Sequence, residues 1–472
     1  MSLTSPVAAH PNTADAEALD RLVHFAVYKL FGEYTYHIPL KTEKHVTAII
    51  APNGSGKTIC LRLIDALFAK RWSFFVEVEF DQVEFGFASG NSVNIRREGK
   101  PSETDDVSPQ LGLLFTITGF SAQPILWRPG GIDARSATRF PLERYLHFLT
   151  RRGINQFSHD YTGVMYTFQE AVEAFYSSLP EQVRTSLYGE EPKALSTLIK
   201  NIDCHLIETQ RLLILKDDDE GPYRPGRSQK STLTISRKAQ TLRAVISKEL
   251  TAYAALSQSL DRSFPKRVIR RQTVFPQENL KARLHELDAK RLSLTEAGIL
   301  DSEADDPVSL PEGQLEEAIS RVLSVYAEDT QQKLNSLSKL LARIELFKEL
   351  INQRFSVLVN QQLSVKQILV SKEKGFEIVF HDRRVPLEKL SSGEQHQLVL
   401  FFELLFELRE NALILIDEPE LSLHVAWQKK FISDLNRIIK LNQFDVILAT
   451  HSPQLISRST DLVVELGEVD DK

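Results

Sequence analysis

Between residues 21 and 50 apolar and polar positions alternate, first in "VHFAVYKLFGEYTYHIPL" and again in "HVTAIIA". A period of two predicts strands. The next apolar run, "TICLRLIDALFAKR", has helical spacing. Alternation returns in "FFVEVEFDQVEFGFASGNSVNIRRE" and breaks at Ala88-Ser89-Gly90-Asn91, which predicts an antiparallel meander with a tight turn. Residues 100–135 read as loop with some strand. From Pro141 to about Leu187 the pattern predicts mostly helix. "CHLIETQ", Cys204 to Gln210, reads as a short apolar strand with a polar end, and Lys216 to Lys230 reads as loop by composition.

From about Ile235 to Phe355 the chain is rich in Leu, Lys, Glu, Ala and Gln. Leu337, Leu341, Ile344, Lys348, Ile351 and Phe355 step by four and three, a heptad seam with one charged interruption. "SFPKRVIRRQTVFPQ" and "LDSEADDPVSLPEG" break the helical pattern, so two or three helices are expected, packed as a short antiparallel arm. Strands resume after Phe355. The last hundred residues alternate strand and helix in "ALILIDEPE", "WQKKFISDLNRIIKL" and "FDVILATHS", the rhythm of a parallel sheet. The pattern therefore predicts an α/β protein divided into a tail (1–20), an N-terminal head part (21–230), a helical arm (231–355) and a C-terminal head part (356–472).

Composition narrows the function classes. Asp and Glu (63) outnumber Lys and Arg (57), a net charge of -6, which argues against coating nucleic acid by bulk charge. Only two cysteines, Cys60 and Cys204, are present, so no disulfide framework or cysteine-rich metal site is expected. No apolar run reaches transmembrane length, and the first residues lack the pattern of a secretory signal. A cytoplasmic location is the expectation.

The chemistry-bearing residues fall in four places. "IIAPNGSGKT", Ile49 to Thr58, lies between a predicted strand and helix, as a phosphate loop requires. Amides from Asn53, Gly54, Ser55, Gly56, Lys57 and Thr58 can surround a phosphate at a helix N-terminus. Lys57 would reach the β- and γ-phosphates, and Thr58 would hold Mg²⁺. "ALILIDEPE" ends a buried strand in Asp417 and Glu418. Buried carboxylates are expensive without a partner, so Asp417 is a candidate Mg²⁺ ligand and Glu418 a candidate general base. "LSSGEQ" places Ser391, Ser392 and Gly393 at the start of a predicted helix, a second potential anion site. "ILATHS" places His451 just past another apolar strand.

In this order and spacing the four pieces resemble an ABC-type ATPase of the SMC and RecF branch. "LSSGEQ" is similar to the family's signature motif and "ILATHS" to its switch-histidine motif. Gln210 fits the family's Q-loop glutamine, a further metal ligand. His424 stands where the family often carries an aspartate. The resemblance implies an ABC-type head, a mixed sheet with helices plus an antiparallel β lobe, interrupted by a short coiled-coil arm. It implies ATP and Mg²⁺ as ligands and a head-to-tail homodimer or larger homo-oligomer. Ser391, Ser392 and Gly393 of one copy would then close over ATP held by the other. Glu418 and His451 would be the catalytic residues.

The C-terminal stretch further resembles stand-alone ATPases of bacterial anti-phage operons, first the AriA subunits of PARIS systems and next the PtuA subunits of Septu. This implies a sensor or scaffold that holds a separately encoded Toprim- or HNH-type nuclease and responds to a phage trigger. The chain ends soon after His451, so no nuclease is expected in cis. The alternative is a RecF-like repair ATPase that binds DNA directly. Arg262, Lys266, Arg267, Arg270 and Arg271 in the arm are the candidate phosphate contacts.

Overall fold

The computed structural model describes residues 20–98, 111–131, 136–160, 163–208, 213–214, 232–301, 315–359, 362–423, 425–456 and 459–466. Strands β1 (Leu22–Leu30), β2 (Tyr34–Pro39) and β3 (Val46–Ile50) follow the alternation of the sequence, and α1 (Lys57–Phe68) follows the glycine-rich loop. A helical turn, α2 (Phe74–Glu77), then stands where alternation predicts strand. Tertiary packing overrides the local pattern there. Phe75 is fully buried against Phe80 and Phe115, and the Ser73 carbonyl accepts from the amides of Val76 and Glu77. The expected meander continues as β4 (Gln82–Phe87), β5 (Ser92–Arg97), β6 (Leu113–Thr118) and β7 (Ile125–Trp127), giving an antiparallel sheet ordered β2-β1-β4-β5-β6-β7.

A short helix, α3 (Ser136–Arg139), leads into a region expected to be mostly helical. Its middle is strand instead: β8 (Leu149–Gly153), β9 (Gln156–His159) and β10 (Met165–Thr167) form a small antiparallel sheet. Apolar residues are sparse and the strands only three to five residues long, so no period of two was long enough to read. Thr167 closes the sheet and opens α4 (Phe168–Ala174) with a capping box to Glu170. Helices α5 (Glu181–Tyr188) and α6 (Lys193–Lys200) precede β11 (Cys204–Ile207). Two-residue strands β12 (Leu213–Ile214) and β13 (Thr232–Leu233) pair before the helical region.

That region holds four described helices rather than two or three: α7 (Thr234–Arg270), α8 (Gln277–Glu296), α9 (Glu317–Ser336) and α10 (Ser338–Phe355). The break expected at "SFPKRVIRRQTVFPQ" comes only after Arg270, because α7 runs through Pro265. Proline removes one helical donor. Side chains serve the carbonyls nearby: Ser263 Oγ and Arg267 Nη2 both donate to the Leu260 carbonyl. Ion pairs Arg267–Asp329, Arg271–Glu328 and Asp261–Lys333 hold this stretch antiparallel to α9. Helices α8 and α9 are parallel, not antiparallel. Gln277 meets Leu315 at one end, and Lys290 meets Asn335 at the other.

The heptad seam faces the head rather than running along an isolated arm. Leu337, Leu341, Ile344, Ile351 and Phe355 are buried in the head core, where α10 packs on the strand Gln362–Ser371 and on the helices Ser392–Phe402 and Val425–Asn442. Lys348, the charged interruption, donates to the carbonyl of Glu296 at the C-terminus of α8, where a cation suits the helix dipole.

Strands β14 (Ser356–Val359), β15 (Gln362–Ser371), β16 (Gly375–Phe380) and β17 (Arg383–Val385) form an antiparallel sheet in sequence order. Next come α11 (Ser392–Phe402), β18 (Leu413–Asp417), α12 (Val425–Asn442), β19 (Asp445–Thr450), α13 (Pro453–Ile456) and β20 (Val463–Glu465). The central sheet is parallel, ordered β11-β18-β19-β3-β20. Its strands read as continuous apolar runs because both faces are covered. Ala48, Ile414, Ile416 and Leu448 pack toward α7 and α10–α12, whereas Ile49, Leu415, Ile447 and Ala449 pack toward α1 and the β1–β7 sheet. Among the described residues, no helix is long and apolar enough to cross a membrane.

Candidate functional site

The parallel order sets the C-terminal ends of β3, β18 and β19 side by side, and each end carries one of the motifs. In an open parallel sheet this edge is where ligands bind. Register fixes the neighbours: Ile50 pairs with Thr450, and Asp417 with Ala449. The loop after β3, the acids after β18 and His451 after β19 therefore converge without any long-range adjustment.

The loop 51–56 is held from several sides. Tyr36 Oη donates to the Ser55 carbonyl at 2.9 Å. Gly54 and Gly56 have φ of +85° and +83°, conformations that L side chains rarely adopt. A Cβ on Gly56 would also lie 2.7 Å from Leu30 Cδ2. Lys57 is buried, and its Nζ donates to the carbonyls of Ala51 (2.7 Å) and Pro52 (2.8 Å). The ammonium is thus positioned on the loop, at a helix N-terminus that already favours anions. A cleft of about 300 Å³ opens here, lined by Phe31, Asn53, Gly54, Gly56, Lys57, Thr58 and Glu418 among others. Ser55 Oγ is buried without a hydrogen-bond partner among the described residues.

Thr58 Oγ1 donates to Asp417, at 2.9 Å from Oδ2 and 3.1 Å from Oδ1. Burial raises the pKa of the Asp417 carboxyl. The Thr58 hydroxyl opposes that rise, and the neighbouring charge of Glu418 adds to it. A hydroxyl and a carboxylate this close are a donor set of the hard-oxygen type that Mg²⁺ takes in phosphate sites. The residues fit the ion: Thr58 and Asp417 would hold it, and the cleft beside Lys57 would hold the phosphates.

Glu418 has φ +43° and ψ +56°, a left-handed conformation that is rare outside glycine and asparagine. Its amide donates to the Ala449 carbonyl at 2.9 Å, so the turn is pinned to β19. The strained backbone places the carboxylate on the wall of the cleft. His451 Nδ1 lies 3.8 Å from Glu418 Oε1 and 3.1 Å from Glu420 Oε1.

The expected residues thus divide. Asn53, Gly54, Ser55, Gly56, Lys57, Thr58, Asp417, Glu418 and His451 come together. Gln210 and His424 lie outside the described residues. Glu208 stands just beyond β11 next to the end of β18, and it pairs with Arg62 at 3.0 Å. Ser391, Ser392 and Gly393 do not line this cleft. Ser391 is the N-cap of α11 in a full capping box: its Oγ and amide both meet Glu394 Oε2 at 2.9 Å. Lys366 holds the other oxygen of Glu394 at 2.7 Å. Burial pushes the Glu394 carboxyl up, but Lys366 and Ser391 outweigh it and hold the pKa below its usual value.

Two residues escaped the sequence reading. Phe31, left-handed at φ +56° and 44% exposed, lines the cleft beside Gly56. Its only signal was the Phe31-Gly32 turn between two strands. Glu420 is buried and accepts from Thr450 Oγ1 at 2.6 Å and from the His451 amide at 2.8 Å. Its signal was a third acid two residues beyond Glu418, behind a proline.

Residues 227–456 match the family model described as AAA ATPase domain. This stretch carries Ser391, Asp417, Glu418 and His451, while the phosphate loop lies before it. No curated protein matches the chain. Among solved structures, the chain is similar to an Smc head domain with an extended coiled coil bound to the C-terminal domain of ScpA, from Pyrococcus furiosus. The identity is 11% and the TM-score 0.31, over 96% of this chain and 94% of that one. It is also similar to the recombination mediator RecF, at 11% identity and a TM-score of 0.27, over 92% and 94% of the two chains. Similarity this loose carries no weight for function.

Proposed function

We propose that the protein hydrolyses Mg²⁺-ATP at the cleft between Lys57 and Glu418, and that a second copy completes the site head to tail. The observation that carries this reading is the pairing of Thr58 with Asp417 beside a glycine-rich loop, with a strained Glu418 on the same cleft wall. Lys57 and the loop amides bind the phosphates. Mg²⁺, held by Thr58 and Asp417, would neutralise phosphate charge. Glu418 takes a proton from the attacking water as its oxygen bonds to the γ-phosphorus and the bond to the β-phosphate oxygen breaks. The role of Ser391, Ser392 and Gly393 in closing over ATP held by the other copy follows from the motif resemblance, and their position at a helix N-terminus away from the chain's own cleft supports it.

The output of such a cycle is a change of shape, since ATP bridges two copies and hydrolysis releases them. We place the protein as a sensor or scaffold ATPase of anti-phage defence that controls a separately encoded nuclease. The resemblance of the motifs around Ser391, Asp417 and His451 supports this. A RecF-like role in which the protein binds DNA is the second reading. Arg267 and Arg271 are engaged by Asp329 and Glu328, but Arg262, Lys266 and Arg270 are exposed at steps of four on one face of α7.

Steady-state phosphate release tests the enzyme reading. Glu418→Gln is expected to bind ATP and to lose turnover by roughly 10²- to 10⁴-fold. Unchanged turnover removes Glu418 as the base. Duplex-DNA binding whose salt slope falls by about 3 on reversing Arg262, Lys266 and Arg270 would favour the second reading.

A further inference from the structure

The turn that opens α11 carries a charge of the wrong sign for an anion site. Ser391 Oγ and Ser391 N–H both donate to Glu394 Oε2 at 2.9 Å, and Glu394 N–H donates back to Ser391 Oγ at 3.4 Å. A hydroxyl has one proton to give, and here Glu394 takes it. The positive end of the helix likewise faces a carboxylate of its own. A phosphate arriving at this turn would meet that carboxylate at close range, and like charges in a partly desolvated site repel strongly.

Lys366 supplies a counter-charge. Its Nζ donates to Glu394 Oε1 at 2.7 Å, the oxygen that Ser391 does not use. The Lys366 and Glu394 side chains are 29% and 16% exposed, so solvent and salt screen the pair only in part. Burial raises the pKa of the Glu394 carboxyl, but Lys366 and Ser391 outweigh it, so the acid is ionised at neutral pH. Lys366 reaches the turn from a separate element. It stands on β15, opposite Phe380 of β16, and two residues further on the Ile368 N–H donates to Asn352 Oδ1 of α10 at 2.8 Å. The ammonium is thus presented to α11 by a strand braced against α10.

We propose that Lys366 is a positioning residue for the turn Ser391–Gly393: it cancels the charge of Glu394 and loosens that carboxylate's hold on the Ser391 hydroxyl, so that the turn can take the terminal phosphate of ATP held by the opposing copy. This rests on the composite-site reading above. A capping box needs only an acceptor at residue 394, and glutamine serves there as well as glutamate. Lys366 is therefore required because residue 394 is charged, not because the helix needs a cap. Its effect belongs to the copy that lends its turn.

The test uses full-length proteins in mixed pairs. A Lys57→Ala copy lends its turn and a Gly393→Asp copy lends its loop, so each mixed pair forms one productive site. Lys366→Met on the Lys57→Ala copy is expected to lower phosphate release from ATP about 10- to 100-fold, the worth of a hydrogen bond to a charged group. The same change on the Gly393→Asp copy is expected to cost nothing further, because the turn of that copy is already disabled. Lys366→Arg, which keeps the charge, is expected to retain release. Adding Glu394→Gln to Lys366→Met on the turn-lending copy is expected to recover most of the loss, since the charge to be cancelled is gone. Sedimentation velocity of the Glu418→Gln protein with ATP gives a second readout: Lys366→Met is expected to weaken nucleotide-driven association, and Glu394→Gln to recover it. Equal losses whichever copy carries Lys366→Met would overturn the proposal, as would a double variant no better than Lys366→Met alone. Should Lys366→Met fail to fold, Lys366→Gln carries the same comparisons. A mixture without hydrolysis before any change at Lys366 would overturn the composite reading and the proposal with it, whereas an active mixture insensitive to Lys366 would overturn the proposal alone.

Discussion

Thr58 and Asp417 lie 359 residues apart in sequence, and the hydroxyl of one donates to both carboxylate oxygens of the other. The contact joins the first turn of α1 to the end of β18 and so holds one side of the cleft together. It also leaves Asp417 in an environment better suited to a neutral group, because burial raises its pKa.

That cost gives the first prediction. A carboxyl whose folded pKa lies above its unfolded value binds protons more readily in the folded state. Its contribution to stability therefore falls as pH rises from about 3.8 through the raised value. Asp417→Asn mimics the neutral form. Without nucleotide it is expected to melt at a higher temperature than the wild type at pH 7, with the gap closing toward pH 4, while losing Mg²⁺-dependent hydrolysis. Thermal melts across pH, with and without Mg²⁺-ATP, check both parts.

The two loop glycines are expected to differ. Both need positive φ, so alanine at either position costs roughly 1–2 kcal/mol of backbone strain. At Gly54 a Cβ meets nothing within 4 Å, whereas at Gly56 it lies 2.7 Å from Leu30 Cδ2 and 3.4 Å from Phe31 Cε2. ATP affinity, measured by calorimetry, is expected to fall more for Gly56→Ala than for Gly54→Ala. The reverse order would mean that Leu30 and Phe31 yield freely.

Arg354 ties three helices together. From the end of α10 it pairs with Asp434 of α12, donates to the Leu350 carbonyl at 2.8 Å and lies 4.2 Å from the Phe401 ring of α11. Arg354 and Asp434 side chains are 2% and 7% exposed, so Arg354→Met strands a buried charge. The expected loss is about 3–5 kcal/mol by denaturant unfolding. Pairing Arg354→Met with Asp434→Leu is expected to recover most of it, since removing both charges also removes their desolvation cost.

How much of this was legible in the sequence follows the local signals. The central sheet was readable because "VTAII", "LILID" and "DVILAT" are short apolar runs, each ending at a polar motif. The cleft followed, since parallel strands must bring those ends together. The strands between Leu149 and Thr167 were not readable, being short and flanked by Arg, Gln and His. The direction of α9 relative to α8 was invisible because side-chain contacts set it, not periodicity. Glu420 was hidden for another reason. Its value depends on Thr450 and His451, which reach it only through the pairing of β18 with β19.

The central claim is that one copy's phosphate loop works with another copy's signature turn. It is tested most directly by mixing two inactive full-length proteins, Lys57→Ala and Gly393→Asp, and measuring phosphate release from ATP. A mixed pair contains one site with an intact loop, an intact Glu418 and an intact turn, so hydrolysis is expected to return on mixing and to rise with the fraction of mixed pairs. A mixture as inactive as its components, under conditions where the two proteins demonstrably associate, would contradict the composite site.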